Sequence, residues 1–104
     1  MQPQRTFKKP SKPKLFLFHR VTDSGMSPAL KPSQLVLAVS RRHYRDEDVV
    51  VIWHNGVEKL ERIRAVQGSR FEVRADNPSH ATDSRQFGLI EKQAILGKVV
   101  WPRI

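Results

Sequence analysis

The chain contains no cysteine, and its 104 residues include no long hydrophobic run. Without cysteine there is no disulfide scaffold, no thiol nucleophile and no thiolate metal site. No segment approaches the roughly 18 consecutive apolar residues that cross a membrane, so we expect no membrane span. The histidines, at positions 19, 43, 54 and 80, form no His-x-His or i, i+4 pair, which gives little basis for a zinc site. We therefore expect neither a metal nor another cofactor.

Acidic residues are also missing from the N-terminal segment, although the whole chain has a net charge of +9. The basic residues of that segment are Arg5, Lys8, Lys9, Lys12 and Lys14. Because residues 1–13 are basic, proline-rich and poor in apolar side chains, we expect a disordered arm ahead of a single domain at 14–104. The arm is either a solubilising tail or a contact for nucleic acid or an anionic membrane surface. We expect a cytoplasmic protein, with peripheral membrane contact as the alternative.

A second basic cluster consists of Arg41, Arg42 and Arg45. We interpret it as a solvated loop, with contact to phosphates as the alternative.

Short apolar or alternating segments separated by turn residues predict an all-β domain. The predicted strands lie within residues 14–21, 34–39, 48–53, 58–66, 71–75 and 96–103. Asn55-Gly56 predicts a tight hairpin, because both residues tolerate a positive φ. Residues 91–95 are expected to form one helical turn, and no segment shows a long helical period. The pattern predicts a small barrel-like sheet built from hairpins.

A long polar loop at residues 76–88 separates two of these strands, and such a loop in a small domain usually has a function. Its sequence resembles the second signature of the type I signal peptidases: Gly-Asp-Asn, a spacer, Ser-x-Asp-Ser-Arg, one residue, then Phe-Gly. Ala75 replaces the glycine, and Thr82 lies in the spacer. The matching residues are Asp76, Asn77, Asp83, Ser84, Arg85, Phe87 and Gly88. The resemblance implies a signal-peptidase-like β-sheet domain, a fold shared with the LexA-type self-cleaving repressors.

Residues 22–30 resemble the first signature of the same family, Ser-Gly-Ser-Met-x-Pro-Thr-Leu. Met26, Pro28 and Leu30 set the alignment. The resemblance then assigns the nucleophilic serine to Gly25 and the oxyanion-binding serine to Asp23. Glycine has no side chain with which to attack a carbonyl, and a carboxylate is the wrong charge beside an oxyanion.

The family's general base is a lysine in a strand, and the matching stretch here is residues 60–65. The lysine position is occupied by Glu61, which should be ionised at neutral pH unless it is buried. Since a Ser/Lys dyad needs a hydroxyl beside a neutral amine, all three catalytic positions depart from the pattern. The resemblance therefore implies a degenerate peptidase that binds peptide or regulates a partner.

Two alternatives stay open. Ser24 or Ser27 could act as a displaced nucleophile, with Lys59 or Lys92 as its base. The chain could instead be a basic nucleic-acid-binding module.

The remaining signature residues have structural interpretations. Asp76 and Asn77 are turn formers, and Asp83 and Arg85 are expected to brace the loop as an ion pair. Ser84 matches a residue that contacts the family's lysine, and without that lysine it should cap a loop amide. Gly97 and the Trp101-Pro102 pair resemble the end of soluble members, such as the nickel superoxide dismutase maturation peptidases. Because family strand edges bind extended peptide by β-addition, the expected partner is an extended peptide or protein segment.

Overall fold

The computed structural model describes residues 15–77 and 83–104. The predicted basic arm and the centre of the 76–88 loop lie outside the described residues. The prediction of an arm at residues 1–13, and of anion contacts made by it, therefore stays a prediction.

The described chain forms one antiparallel sheet, as the sequence predicts. Its strands are β1 (Phe16–Arg20), β2 (Leu35–Val39), β3 (Val49–His54), β4 (Val57–Gln67), β5 (Arg70–Arg74), β6 (Ile90–Glu91) and β7 (Ile95–Trp101). The order across the sheet is β1-β2-β7-β3-β4-β5-β6. The closing strand β7 thus inserts between β2 and β3, so the first two strands join the rest of the sheet only through the last one.

The β3–β4 hairpin turns at Asn55-Gly56, where φ is 50° and 81°. Positive φ at both central residues is the geometry that this dipeptide favours.

One local prediction needs correction. The 76–88 segment is not irregular throughout, because it contains a four-residue helix, α1 (Ser84–Phe87). The single helical turn predicted at residues 91–95 is confirmed as the 3₁₀ helix Lys92–Ala94, which follows the short strand β6. Both elements are too short to produce a helical period in the sequence.

Apolar side chains form a core on each face of the sheet, because β3 sends alternate residues to opposite sides. Val49 and Val51 pack in one cluster with Met26 and Leu30. Val50 and Ile52 belong to the other, with Ile63 and Phe71 among the remaining members. The central strands are therefore buried on both faces.

The sheet curls so that β1 reaches the start of β4, although the two strands are not neighbours. The buried His19 places its Nδ1 at 2.8 Å from Oε1 of Glu58. This contact closes one end of the sheet and forms one wall of the candidate site. In the part of the chain that the structure describes, no helix is long and apolar enough to cross a membrane.

Candidate functional site

The loop after β1 carries the first signature, and it is fastened to the start of the second. The backbone N–H of Asn77 donates to the Gly25 carbonyl at 2.7 Å. The Asn77 side-chain amide donates to the Ser24 carbonyl at 3.2 Å. The two segments that resemble the family signatures therefore meet through the backbone around Gly25.

The amide of Gly25 is also engaged within its own loop, since it donates to Oδ1 of Asp23 at 2.8 Å. A backbone N–H stabilises an oxyanion only if it points at the position where that charge develops. Here the N–H is held by a carboxylate, so Asp23 occupies a donor that an oxyanion would need.

The position that the resemblance assigns to the base lies beside the start of the second-signature loop. Arg62 pairs with Arg74 in the β4–β5 ladder, so the preceding Glu61 lies next to the end of β5, where residues 76–88 begin. Arg62 itself donates from Nε and Nη2 to the two carboxylate oxygens of Asp76, both at 2.9 Å. This bidentate pair fixes the loop against β4.

Glu61 is completely buried. Neither carboxyl oxygen has a hydrogen-bond partner among the residues that the structure describes. Burial raises the pKa of Glu61 to about 8; Lys59 and Arg85 oppose this rise, and the carboxylates of Asp83 and Asp23 add to it. Because an unpaired buried carboxylate is costly, the side chain keeps its proton at neutral pH. Glu61 is therefore a neutral acid at the position that the resemblance assigns to the base.

The second signature is built around Asp83, which is also fully buried. Asp83 caps α1, accepting from the Arg85 amide at 3.0 Å, while Gln86 completes a capping box. It also accepts from the buried Ala75 amide at 3.0 Å and from the Arg85 guanidinium at 2.6 Å. Burial by itself would raise the pKa of Asp83, but these hydrogen bonds from Arg85 and Ala75 lower it to about 2.

Ser84 takes part in the same local structure. Its hydroxyl accepts the Val73 amide of β5 at 2.9 Å, which ties α1 to the sheet edge. The side chain thus caps a backbone amide, and the contact is independent of any lysine.

The two alternative serines are placed differently. The Ser27 hydroxyl donates to the Leu30 carbonyl of its own loop at 3.4 Å, and Ser24 is half-buried. Of the two candidate bases, Lys59 has its Nζ 5.7 Å from the centre of the Phe87 ring. Lys92 is exposed on the 3₁₀ helix.

A cleft of about 230 Å³ opens beside this region. Thr22, Asp23 and Met26 line it from the first-signature loop, Lys59 lines it from β4, and His19 lines it from β1. Its polar groups carry both charges, and Met26 supplies an apolar floor.

Three residues near the site were given no role from the sequence. His19 and Glu58 form the contact between β1 and β4, and His54 stacks on Phe87 with ring centres 4.0 Å apart. Burial and the nearby Lys59 lower the pKa of His54. The hairpin turn at residues 55–56 places His54 near Lys59, and this could be predicted from the sequence. The His19–Glu58 and His54–Phe87 contacts could not, because they depend on how the sheet curls.

Comparison with known proteins gives one family. A model described as Peptidase S24-like matches residues 2–100, which is nearly the whole chain. No curated protein matches the sequence.

Proposed function

Because the chain belongs to the Peptidase S24-like family, we propose that it is a peptide-binding or regulatory pseudoprotease. In this role it binds an extended peptide or protein segment without cleaving it. The observation that carries the proposal is the burial of Glu61, whose unpartnered carboxyl has a raised pKa. The resemblance assigns the base to this position and the nucleophile to Gly25. Neither residue can perform its part of Ser/Lys chemistry.

The electrostatics of the loop support the same proposal. Acyl transfer needs donors aimed at a developing negative charge. Asp23 instead brings a carboxylate to this loop and accepts the Gly25 amide. Two further observations support binding without cleavage: Asn77 holds the two signature loops together, and a cleft beside them is open.

The first prediction concerns activity. We expect no cleavage of signal-peptide-like substrates and no labelling by a fluorophosphonate probe that reacts with activated serines. The physical reason is that an unactivated serine hydroxyl is a weak nucleophile. The measurement is probe labelling of the full chain, followed on a gel and by mass spectrometry.

Labelling that disappears in Ser24→Ala or Ser27→Ala would mean that a displaced serine is active, and the proposal would be wrong. The double variant Gly25→Ser with Glu61→Lys is the positive counterpart. Labelling of this variant at position 25 would establish the alignment of both signatures. Gly25→Ser alone is its matched control and should stay unlabelled, because it has no base.

The second prediction concerns binding. We expect a mixture of random decapeptides to shift the backbone amide signals of Thr22, Asp23 and Lys59 in a ¹⁵N-labelled sample. These residues line the cleft between the first-signature loop and β4, so a bound peptide must change their surroundings. Amide signals in the β4–β5 turn near Gly68 serve as the internal control. Shifts confined to that turn, or none at millimolar peptide, would argue against peptide binding in the cleft.

A further inference from the structure

One face of the sheet exposes aromatic side chains that no element of the described chain covers. Phe16 and Phe18 on β1 are 57% and 59% exposed, and Trp101 on β7 is 59% exposed. Phe18 lies opposite Leu37 of β2, and Leu37 lies opposite Trp101. The three rings and Leu37 therefore form a stripe across β1, β2 and β7, which we call the aromatic face.

The spacing of these rings follows from strand geometry. Phe16 and Phe18 are two residues apart on one strand, which places their Cα atoms about 7 Å apart. Trp101 is two strands from Phe18, which is about 10 Å across the sheet. The rings are thus separate platforms on one surface, the arrangement on which successive bases of a single strand stack.

Charge is distributed unevenly along the sheet, and the aromatic face lies at its basic end. Of the 10 acidic residues, all except Asp23 lie in residues 46–91, the segment that forms β3 to β6. The basic residues divide differently: six lie in residues 46–91, and eight lie in the other described residues, 15–45 and 92–104. The segment that forms β3 to β6 thus has a net charge of −3 (6 − 9), and the other described residues have +7 (8 − 1).

The strands of the aromatic face contain no acidic residue at all. Arg20 follows Phe18 by two positions on β1, so it lies on the same face, and it is exposed. Exposed Arg41 and Arg42 follow β2 directly. Lys98 of β7 also lies here, with its Nζ 3.3 Å from Oδ1 of Asp48. The unbalanced charge of the face is positive, so it attracts an anionic polymer, whereas a second copy of this basic surface would be repelled.

We propose that the aromatic face binds single-stranded nucleic acid: the bases stack on Phe16, Phe18 and Trp101, and the phosphates contact the surrounding arginines. Stacking on aromatic rings is tolerant of base identity because every base has a π face. Binding is consequently general for single strands. A duplex competes weakly, because its bases are already stacked and its grooves do not fit a flat sheet face. This surface is separate from the cleft, so the inference does not depend on the proposed peptide binding.

The test uses the full chain and a fluorescein-labelled 15-mer of deoxythymidine, with binding followed by fluorescence anisotropy. Phe18→Ala and Trp101→Ala should each weaken binding by about 5- to 150-fold, the loss that removal of one base–aromatic stack produces. A phosphate contact releases counterions, so its contribution to affinity decreases as the salt concentration rises. Arg20→Gln should therefore weaken binding more at low salt than at high salt. The same measurements with a uridine 15-mer separate RNA from DNA.

Conservative variants separate stacking from simple apolar contact. Phe18→Leu keeps the apolar surface but removes the ring, so it should bind as weakly as Phe18→Ala. Trp101→Phe should retain most of the affinity. Leu89→Ala is the matched control, since Leu89 is an exposed apolar residue outside the aromatic face, and it should bind as the original chain does.

Four outcomes would overturn the inference. Absence of binding at 50 mM salt would exclude it directly. Binding that survives both alanine variants but is lost in Lys8→Gln, Lys9→Gln and Lys12→Gln combined would assign the contact to the N-terminal segment. Preserved oligonucleotide binding by Phe18→Leu would mean that Phe18 makes simple apolar contact and does not stack on a base. Binding to phosphatidylserine vesicles in place of the oligonucleotide would mean that the face contacts a membrane.

Discussion

In the unmodified chain, Glu61 should lower the free energy of unfolding by about 3 to 4 kcal/mol between pH 5 and pH 8. We expect this decrease to be absent in Glu61→Gln. The pKa of Glu61 is about 8 in the folded protein, against an ordinary value of 4.5. The folded state therefore binds this proton more tightly than the unfolded state does. Glutamine carries no proton to lose, so its contribution to stability should not change with pH.

The direction follows from linkage. A group whose folded pKa is raised contributes stability that is fully present below the unfolded pKa, here about pH 4.5. That stability declines as the pH rises through the folded pKa. Within this window the free energy of unfolding falls by about 1.4 kcal/mol per pH unit. The cause is the cost of ionising a buried carboxyl that has no hydrogen-bond partner in the described structure.

The measurement is urea unfolding at pH 5, 6, 7 and 8 for the unmodified chain and for Glu61→Gln. Subtracting the two curves removes the contribution of the other titrating groups. Glu91→Gln is the matched control, because Glu91 is exposed and pairs with Arg70 at the surface. Its curve should run parallel to that of the unmodified chain. If the curve of Glu61→Gln is also parallel to that of the unmodified chain, the Glu61 carboxyl does not have a raised pKa in the folded protein.

The sequence predicts the strands well because their signals are local. Alternation in residues 71–75 predicts that Phe71 and Val73 face the core, and both are buried. The turn residues Asn55 and Gly56 predict the β3–β4 hairpin, and it is confirmed. The family also follows from the sequence, since the two signature loops carry the resemblance and the family model matches residues 2–100.

The burial of Glu61 could not be predicted in the same way. In residues 57–67 charged and apolar side chains alternate, which is typical of a strand with one solvent-exposed face. Leu60 packs against one core, however, while Ile63 belongs to the other. The second face is covered from elsewhere in the chain, by the segment that contains Asp83 and α1. Only the folded sheet shows that both faces of β4 are occupied.

The aromatic face is invisible in the sequence for a related reason. Phe16, Phe18 and Trp101 lie at opposite ends of the chain, and each could be taken for a core residue. They become neighbours only because β7 inserts beside β2. The same insertion gathers the segments without acidic residues at one end of the sheet, so the charge asymmetry also depends on strand order.

Asp83→Ala is expected to lower the free energy of unfolding by about 2 to 4 kcal/mol, the combined cost of an unpaired buried amide and a lost N-cap. Asp83 is fully buried and accepts hydrogen bonds from the amides of Ala75 and Arg85 and from the Arg85 guanidinium. Alanine leaves the buried Ala75 amide without its acceptor and removes the cap of α1. An unpaired buried amide costs about 1–3 kcal/mol, and a lost N-cap costs about 1 kcal/mol more.

Asp83→Asn separates charge from shape. Its amide oxygen can still accept from one backbone N–H, but it cannot form the ion pair with Arg85. We therefore expect a smaller loss than for alanine. The dependence of stability on pH below about 4 should change as well. The pKa of Asp83 is lowered from 3.8 to about 2. The stability that Asp83 contributes is therefore present above pH 3.8 and is lost as the pH falls towards 2. In Asp83→Asn this part of the acid transition should be missing.

Thermal and urea unfolding at pH 7 measure the loss, and hydrogen exchange at the amides of Ala75 and Arg85 tests its origin. Both amides should exchange faster in Asp83→Ala, whereas the Val73 amide, which donates to Ser84, should keep more of its protection because its acceptor remains. Asp46→Ala is the matched control, since Asp46 is exposed and its loss should cost less than about 0.5 kcal/mol. A loss below 1 kcal/mol in Asp83→Ala, with unchanged exchange at Ala75, would mean that the second signature does not depend on this carboxylate. The segment would then be held mainly by the Arg62–Asp76 pair.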